Sequence, residues 1–195
     1  MKYLILCFAM LISLSSCKKE ELESKLPPET TTGKNTAGFI VDGKTVVLPS
    51  NGISSVPGSG TQSGLSIRTE PNFSSPIDSR YFTLEISNIK SKRVHSAYIR
   101  IHEYPYEPKK YIFGKKQGDL YADGPNYPQM MVIVSGNDLE TEWYYSNDNS
   151  GNVTFTRIDT IQKIYSGTFE STLYHRFDSN KTMKISQGRF DIKQN

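Results

Sequence analysis

Cysteine is scarce in this sequence, and its placement limits the chemistry of the rest of the chain. The 195 residues contain two cysteines, Cys7 and Cys17. Both lie close to the N-terminus, so the remainder can form neither an internal disulfide nor a zinc site with thiolate ligands. About 159 residues, from 37 to 195, are enough to bury one full core. We therefore expect that part to fold without a disulfide, a metal or another cofactor.

Long apolar runs and blocks of like charge are missing as well. The apolar run Tyr3–Ile12 is too short for a membrane span, which takes about 20 residues in a helix. It has the length of the hydrophobic core of a secretory signal peptide, predicted here for residues 1–16. The chain has 23 basic and 20 acidic residues, a net charge of +3, and no basic block. We therefore expect no nucleic-acid partner.

A sustained helical stripe of apolar residues is also missing, whereas alternation with a period of two occurs almost throughout. Phe82, Leu84 and Ile86 would face one side of a strand, with Thr83, Glu85 and Ser87 opposite. Further strands with the same pattern are expected at Ala97–Ile101, Val153–Phe155 and Gly167–Leu173, and Met130–Val134 suits a central strand. Asp42-Gly43 supplies the positive φ angles of a two-residue hairpin turn. A second hairpin turn is expected at Asp159–Gln162. The fold predicted for residues 37–195 is a single all-β domain, an antiparallel β-sandwich, with an open or closed antiparallel β-barrel as the alternative.

After the apolar run and Ser13 come Leu14, Ser15, Ser16 and Cys17. They resemble the bacterial lipobox, although Ser16 stands where glycine or alanine is more usual. The resemblance implies that Cys17 receives a diacylglycerol group, with palmitate among its acyl chains, and begins the mature protein. Two or three acyl chains give stable membrane anchoring. An ordinary secretory signal with an incidental cysteine is the alternative.

The residues after Cys17 are rich in charge. Lys19, Glu20 and Glu21 resemble the lipoprotein export signal of Bacteroidota, which implies the outer membrane and its cell-surface face. The alternative is a solvated linker of mixed charge. Residues 17–36 combine prolines, threonines and charges without apolar periodicity, so we expect a flexible, lipid-anchored tether there.

Longer landmarks extend the resemblance along the chain. They are TGKNTAGFIVDGKTVVLPS at 32–50, YSGTFESTLYH at 165–175 and KISQGRFDIK at 184–193. These landmarks resemble a group of small Bacteroidota outer-membrane lipoproteins of unknown function. The resemblance implies a β fold and a lineage and brings no activity.

The sequence holds no recognisable catalytic motif. Its three histidines lack paired metal-ligand spacing, and no G-x-S-x-G elbow occurs. A glycosidase would need two carboxylates that converge in space. The candidates are Glu103, Glu107, Asp119, Asp123 and Glu140. The sequence alone does not say whether any two of them meet.

Tyrosines crowd the middle of the chain. Because aromatic rings with polar tips suit wet interfaces and stack on sugar rings, Tyr104, Tyr106, Trp143 and Tyr144 are the candidate ligand-binding residues. The alternative is that these rings fill sheet faces and loop bases. Asp159-Thr160-Ile161 resembles the Bacteroidota O-glycosylation pattern, which implies a glycan on Thr160.

Two classes of function stay open. The first, which we favour, is a non-enzymatic, monomeric surface lipoprotein that contacts the membrane through its anchor and binds a glycan or an envelope protein. The second is a small surface hydrolase acting on polysaccharide or peptide. A groove containing two convergent carboxylates would favour the hydrolase.

Replacing Cys17 tests the anchor. Cys17→Ala removes the only thiol at the lipobox position, so the variant should accumulate as an unacylated precursor. Metabolic labelling of cells with palmitate should then be lost from this protein, whereas Cys7→Ala should remain labelled. Undiminished labelling of Cys17→Ala would contradict the lipobox interpretation.

Overall fold

The chain folds into β-strands joined by turns. The computed structural model describes residues 26–48, 54–55, 62–71, 80–88, 93–115, 127–136 and 139–194. Within these ranges no helix is long and apolar enough to cross a bilayer. The strands are β1 (Thr36–Val41), β2 (Lys44–Val47), β3 (Ser54–Ser55), β4 (Gln62–Pro71), β5 (Arg80–Asn88), β6 (Arg93–Ile101), β7 (Lys110–Ile112), β8 (Gln129–Gly136), β9 (Leu139–Tyr145), β10 (Gly151–Asp159), β11 (Ile164–His175) and β12 (Thr182–Lys193).

The strands pair edge to edge in a continuous antiparallel order. That order is β2-β1-β12-β11-β9-β8-β6-β5-β4-β3, and β10 pairs with β11 and β7 beside this path. The predicted all-β antiparallel fold is confirmed. The first strand, β1, pairs with the last, β12, so the two ends of the domain lie side by side.

The sheet is strongly curled and forms a half-barrel. Strands β5 and β11 are four places apart in the order, which would be about 19 Å in a flat sheet. Nevertheless, the ring of Phe82 on β5 lies 5.4 Å from that of Tyr165 on β11 and 5.6 Å from that of Phe155 on β10. The two halves of the curled sheet therefore pack against each other across one core.

The alternating apolar residues fill this core, as predicted. Phe82, Leu84 and Ile86 are fully buried, and so are Ile99 and Ile101 on the neighbouring strand β6. The buried apolar residues of the other predicted strands are Ala97, Met130, Met131, Val132, Val134, Val153, Phe155, Phe169 and Leu173, and Leu65 and Ile67 on β4 are buried as well. The predicted central strand, β8, lies between β6 and β9.

The outer face of β5 differs from the prediction. Thr83, Glu85 and Ser87 were expected to face water, yet all three are buried. Glu85 accepts a 2.8 Å hydrogen bond from Arg68, and the hydroxyls of Ser87 and Ser96 are 2.7 Å apart. Alternation with a period of two separates the two faces of a strand, but it does not show whether neighbouring side chains cover the polar face.

Both predicted hairpins are present. Val41 pairs with Lys44 around a turn in which Asp42 and Gly43 have φ angles of 46° and 73°. These are the two positive φ angles of a type I′ turn. The β10–β11 hairpin turns at residues 160–163, between Asp159 and Ile164.

The β11–β12 ladder contains two reciprocal pairs of glycine and phenylalanine. Gly167 lies opposite Phe190, and Phe169 lies opposite Gly188. A Cβ atom at Gly188 would lie 2.5 Å from the ring of Phe169, and one at Gly167 would lie 2.9 Å from the ring of Phe190. Each phenylalanine ring therefore occupies space that any larger residue on the other strand would fill.

Residues 26–35 form a segment that lies against the β domain, here called the strap. This position differs from the flexible tether predicted for residues 17–36. Leu26 is buried, the carbonyl of Thr31 accepts a 2.6 Å hydrogen bond from Arg157, and that of Pro27 accepts one of 3.3 Å from Arg189. Residues 17–25 lie outside the described residues.

One buried carboxylate on β12, that of Asp191, holds the end of the strap. Asp191 is 1% exposed, and its two oxygens accept five hydrogen bonds. The donors are the hydroxyls of Thr30 (2.6 Å) and Ser166 (2.7 Å) and the backbone N–H groups of Thr32 (3.1 Å), Gly33 (2.8 Å) and Lys34 (3.0 Å). Gly33 has a φ of 74°, and a Cβ there would lie 2.7 Å from that of Lys193, so glycine suits this turn on both counts.

Two opposing effects act on the ionisation of Asp191. Burial raises the pKa of its carboxyl group, but the hydrogen bonds from Lys34, Thr30, Ser166 and Gly33 outweigh burial and hold the pKa below its usual value. The unfolded chain, with a carboxyl pKa of about 3.9, therefore takes up the proton first. This contribution to stability is complete above that pKa and declines as the pH falls towards the folded-state pKa.

Asp191→Asn should destabilise the protein by about 2–3 kcal/mol at pH 7, because hydrogen bonds to a charged acceptor are lost and an amide N–H group faces other donors. Urea unfolding measures this difference. The gap between the wild type and the variant should narrow as the pH falls below about 4. Asp178→Asn, on an exposed turn, is the matched control. Equal stability of Asp191→Asn and the wild type at pH 7 would contradict the role given to this carboxylate.

Candidate functional site

Two of the predicted aromatic residues meet at the end of β6. The chain leaves the sheet after Ile101, and Tyr104 and Tyr106 follow on the connection to β7. Their ring centroids are 5.3 Å apart at an interplanar angle of 52°. Tyr104 is partly buried, whereas Tyr106 is 76% exposed. We call these two rings the aromatic platform.

The platform is fixed to the core through Tyr104. The ring of Tyr104 packs edge-on against Phe82 at 5.9 Å and against Tyr165 at 6.2 Å. The hydroxyls of Tyr104 and Tyr165 are joined by a short hydrogen bond. Burial raises the pKa of Tyr165, and the bond to Tyr104 raises it further, so the Tyr165 phenol stays neutral at physiological pH. The exposed ring of Tyr106 therefore rests on a ring that is itself held in place.

An ion pair lies beside the platform on the same connection. Lys109 donates a 2.7 Å hydrogen bond to Glu103, and its ammonium group lies 4.8 Å from the centre of the Tyr111 ring. The bond from Lys109 is the main reason that the pKa of Glu103 is lowered. The bond to Glu103 is in turn the main reason that the pKa of Lys109 is raised. Both groups are half exposed and charged at neutral pH, so they offer water or a ligand an acceptor and a donor.

The other two predicted binding residues do not join this platform. Trp143 and Tyr144 are neighbours on β9, and successive residues of a strand point to opposite faces. Tyr144 is 3% exposed and belongs to the core cluster, with its hydroxyl 3.0 Å from Glu142 and its ring 5.3 Å from that of His175. The assignment of Tyr144 to a ligand-binding surface is therefore wrong. Trp143 lies opposite Ile133 and is partly buried.

The acidic residues considered for catalysis have other surroundings. The pKa of Glu103 is lowered, which is the opposite of what a general acid needs at neutral pH. Glu107 and Glu140 are exposed, and Asp119 and Asp123 lie outside the described residues. In the described ranges, no three His, Cys, Asp or Glu side chains are grouped to hold a metal ion.

Thr160 lies at the β10–β11 turn, where the sequence placed it. It is exposed, and the neighbouring Ile161 is 91% exposed. Asp159 is bound to Arg157 at 2.9 Å and accepts a 2.8 Å hydrogen bond from the backbone N–H of Gln162. These bonds hold the turn so that the Thr160 hydroxyl is accessible, and glycosylation itself stays a prediction. The lipidation and export residues, Cys17, Lys19, Glu20 and Glu21, lie outside the described residues.

The Glu103–Lys109 pair and the anchoring role of Tyr165 were missed from the sequence. The run Glu103 to Lys109 contains two tyrosines, two prolines and opposite charges six residues apart, which is a usable signal for a shaped loop. No local signal connects Tyr104 with Tyr165, because the two lie 61 positions apart and meet only through the curl of the sheet.

Comparisons of the chain with protein-family models, with curated proteins and with solved structures gave no match.

The burial of the two tyrosines predicts opposite effects of truncation on stability. Tyr144→Ala should lower the free energy of unfolding by about 3–5 kcal/mol, because it leaves a cavity in the core. Tyr106→Ala should change it by no more than about 0.5 kcal/mol, because the ring is exposed. Urea unfolding of both variants checks the difference, and a small effect of Tyr144→Ala would contradict its placement in the core.

Proposed function

We propose that this protein is a lipid-anchored envelope protein of a bacterial outer membrane, displayed on the cell surface, whose β domain binds a glycan without catalysing a reaction. The lipobox-like segment ending at Cys17 and the following Lys19-Glu20-Glu21 support the anchoring and its location. The resemblance to small Bacteroidota lipoproteins supports the same assignment. The aromatic platform supports the binding role.

The exposed ring of Tyr106 is the observation that carries the binding role. Large apolar side chains at the surface often mark interaction sites when they form part of a built cluster. Tyr106 rests on Tyr104, which is hydrogen-bonded to Tyr165 and packed on Phe82. A ring that is already fixed loses little conformational entropy when a ligand stacks on it.

The groups around the platform suit a sugar. The apolar face of a sugar ring stacks on tyrosine, and its hydroxyl groups both donate and accept hydrogen bonds. Glu103 and Lys109, joined by a 2.7 Å bond, provide an acceptor and a donor on the same connection as the tyrosines. A protein partner that places a flat side chain on Tyr106 is the second candidate.

A hydrolytic role for this site has less support. Glycoside hydrolysis needs a carboxylic acid that is protonated at the working pH and a second carboxylate nearby. Glu103 is the acid next to the platform, and the bond from Lys109 keeps it ionised. We therefore favour binding over hydrolysis.

Variants of Tyr106 test the proposal. The detergent-solubilised protein would be applied to an array of neutral and acidic bacterial and host glycans, and the affinity for each bound glycan measured. Tyr106→Ala should weaken binding by about tenfold, the equivalent of one lost stacking contact. Tyr106→Phe should keep most of the affinity, because the ring is retained.

Phe177→Ala is the matched control, because Phe177 is 83% exposed on the turn between β11 and β12. It should bind as the wild type does. Undiminished binding by Tyr106→Ala, or binding to no glycan on the array, would contradict the proposal. Capture of one envelope protein by the wild type and not by Tyr106→Ala would move the assignment to a protein ligand.

A further inference from the structure

A polar groove runs along the outer face of β11, and none of the residues that line it belongs to the aromatic platform. It consists of three adjoining depressions of about 200, 280 and 430 Å³. The first two share Thr168 and Arg189, and the last two share Asn152 and Glu170. The groove follows β11 from Gly167 to Thr172, a length of about 17 Å at the usual rise of a strand.

The groove has a wall at each end. At the Gly167 end of the groove the strap forms the wall through residues 28–31, and Asp191 holds that part of the strap in place through Thr30. At the other end the walls are Ile112 of β7 and the turn at Asn149. The floor is the paired sheet of β10, β11 and β12, so backbone pairing holds the shape of the groove.

The side chains in the groove are mostly uncharged hydrogen-bonding groups. They are the hydroxyls of Thr156, Thr168 and Thr172 and the amides of Asn152 and Gln187. Two acidic residues, Glu29 and Glu170, and two basic residues, Lys184 and Arg189, also line the groove, so their charges cancel. The amide of Asn152 donates a 3.2 Å hydrogen bond to Glu170. A ligand in the groove meets many donors and acceptors and no excess charge.

We propose that this groove binds an extended, neutral, polyhydroxylated chain, a linear oligosaccharide, as a second site distinct from the aromatic platform. Sugar hydroxyls donate and accept at once, which matches a lining of threonine hydroxyls and amides. An anionic polymer would meet Glu29 and Glu170, and a cationic one would meet Lys184 and Arg189. An extended peptide could not add to the sheet here, because the backbone of β11 already pairs with β10 and β12.

Isosteric variants on the floor of the groove test the proposal. Thr168→Val removes one hydroxyl at nearly constant volume, and Glu170→Gln removes one charge on the exposed side. The probes are linear hexasaccharides of α-1,4-glucose, β-1,4-glucose, β-1,4-mannose and β-1,4-N-acetylglucosamine, with hexa-galacturonate as the anionic comparison. At least one neutral probe should bind the wild type and shift the backbone amide NMR signals of Thr168 and Glu170.

Each variant should weaken that binding by about three- to tenfold, which corresponds to one lost hydrogen bond. Thr160→Val, on the exposed β10–β11 turn, should bind as the wild type does. The shifts of the Thr168 and Glu170 amide signals report binding in the groove itself, which separates the groove from the platform. Unfolding curves check that each variant is folded. If Thr168→Val does not fold, the affinity of Glu170→Gln for the probe tests the proposal instead.

Three results would overturn the proposal. The first is that none of the four neutral hexasaccharides binds. The second is that hexa-galacturonate binds more tightly than all of them. The third is that a neutral hexasaccharide binds both groove variants as tightly as the wild type but does not bind Tyr106→Ala. That result would place the sugar on the platform alone and leave the proposed function intact.

Discussion

The ladder between β11 and β12 joins the core, the strap and the outer groove, because its residue pairs alternate between the two faces of the sheet. Phe169 and Phe190 point inward and contact the rings of Phe39 and Phe155 in the core. The pairs that point outward supply the groove floor and the carboxylate that binds the strap. The outward pairs are Ser166–Asp191 and Thr168–Arg189, and the inward pairs are Gly167–Phe190 and Phe169–Gly188. The two sequence landmarks S-G-T-F and G-R-F-D are thus the two halves of one ladder, and each needs the other to place its glycine opposite a ring.

The sequence predicted the parts of the fold that depend on local pattern. Alternation gave the inward residues of β5, β6 and β11, and Asp42-Gly43 gave the β1–β2 hairpin with its register. The strap was not predicted because its composition is that of a disordered linker. Its order comes from contacts with residues more than 120 positions away, those of Asp191, Arg157 and Arg189. Tyr144 was wrongly assigned to a surface because tyrosine occurs on both faces of strands, so its presence does not show whether the ring faces the core or water. Tertiary packing determines both the order of the strap and the burial of Tyr144.

The two proposed binding surfaces differ in how the fold makes them rigid. The aromatic platform is a loop feature, and it depends on the contacts of Tyr104 with two core residues, Phe82 and Tyr165. The groove is a sheet feature, whose floor is a ladder of backbone hydrogen bonds and whose wall is a strap held by one carboxylate. Loops accept new residues more readily than paired strands do. In related chains we therefore expect the platform to vary more than the groove.

The pairing of β1 with β12 has a consequence for when the protein can fold. The partners Thr36 and Asp191 are 155 positions apart, so β1 has no partner on that edge until β12 has been made. Synthesis at roughly 5–20 residues per second puts this delay on the order of ten seconds. Distant pairings of this kind also slow the folding step itself. The sheet therefore stays open along this edge of β1 until β12 is available.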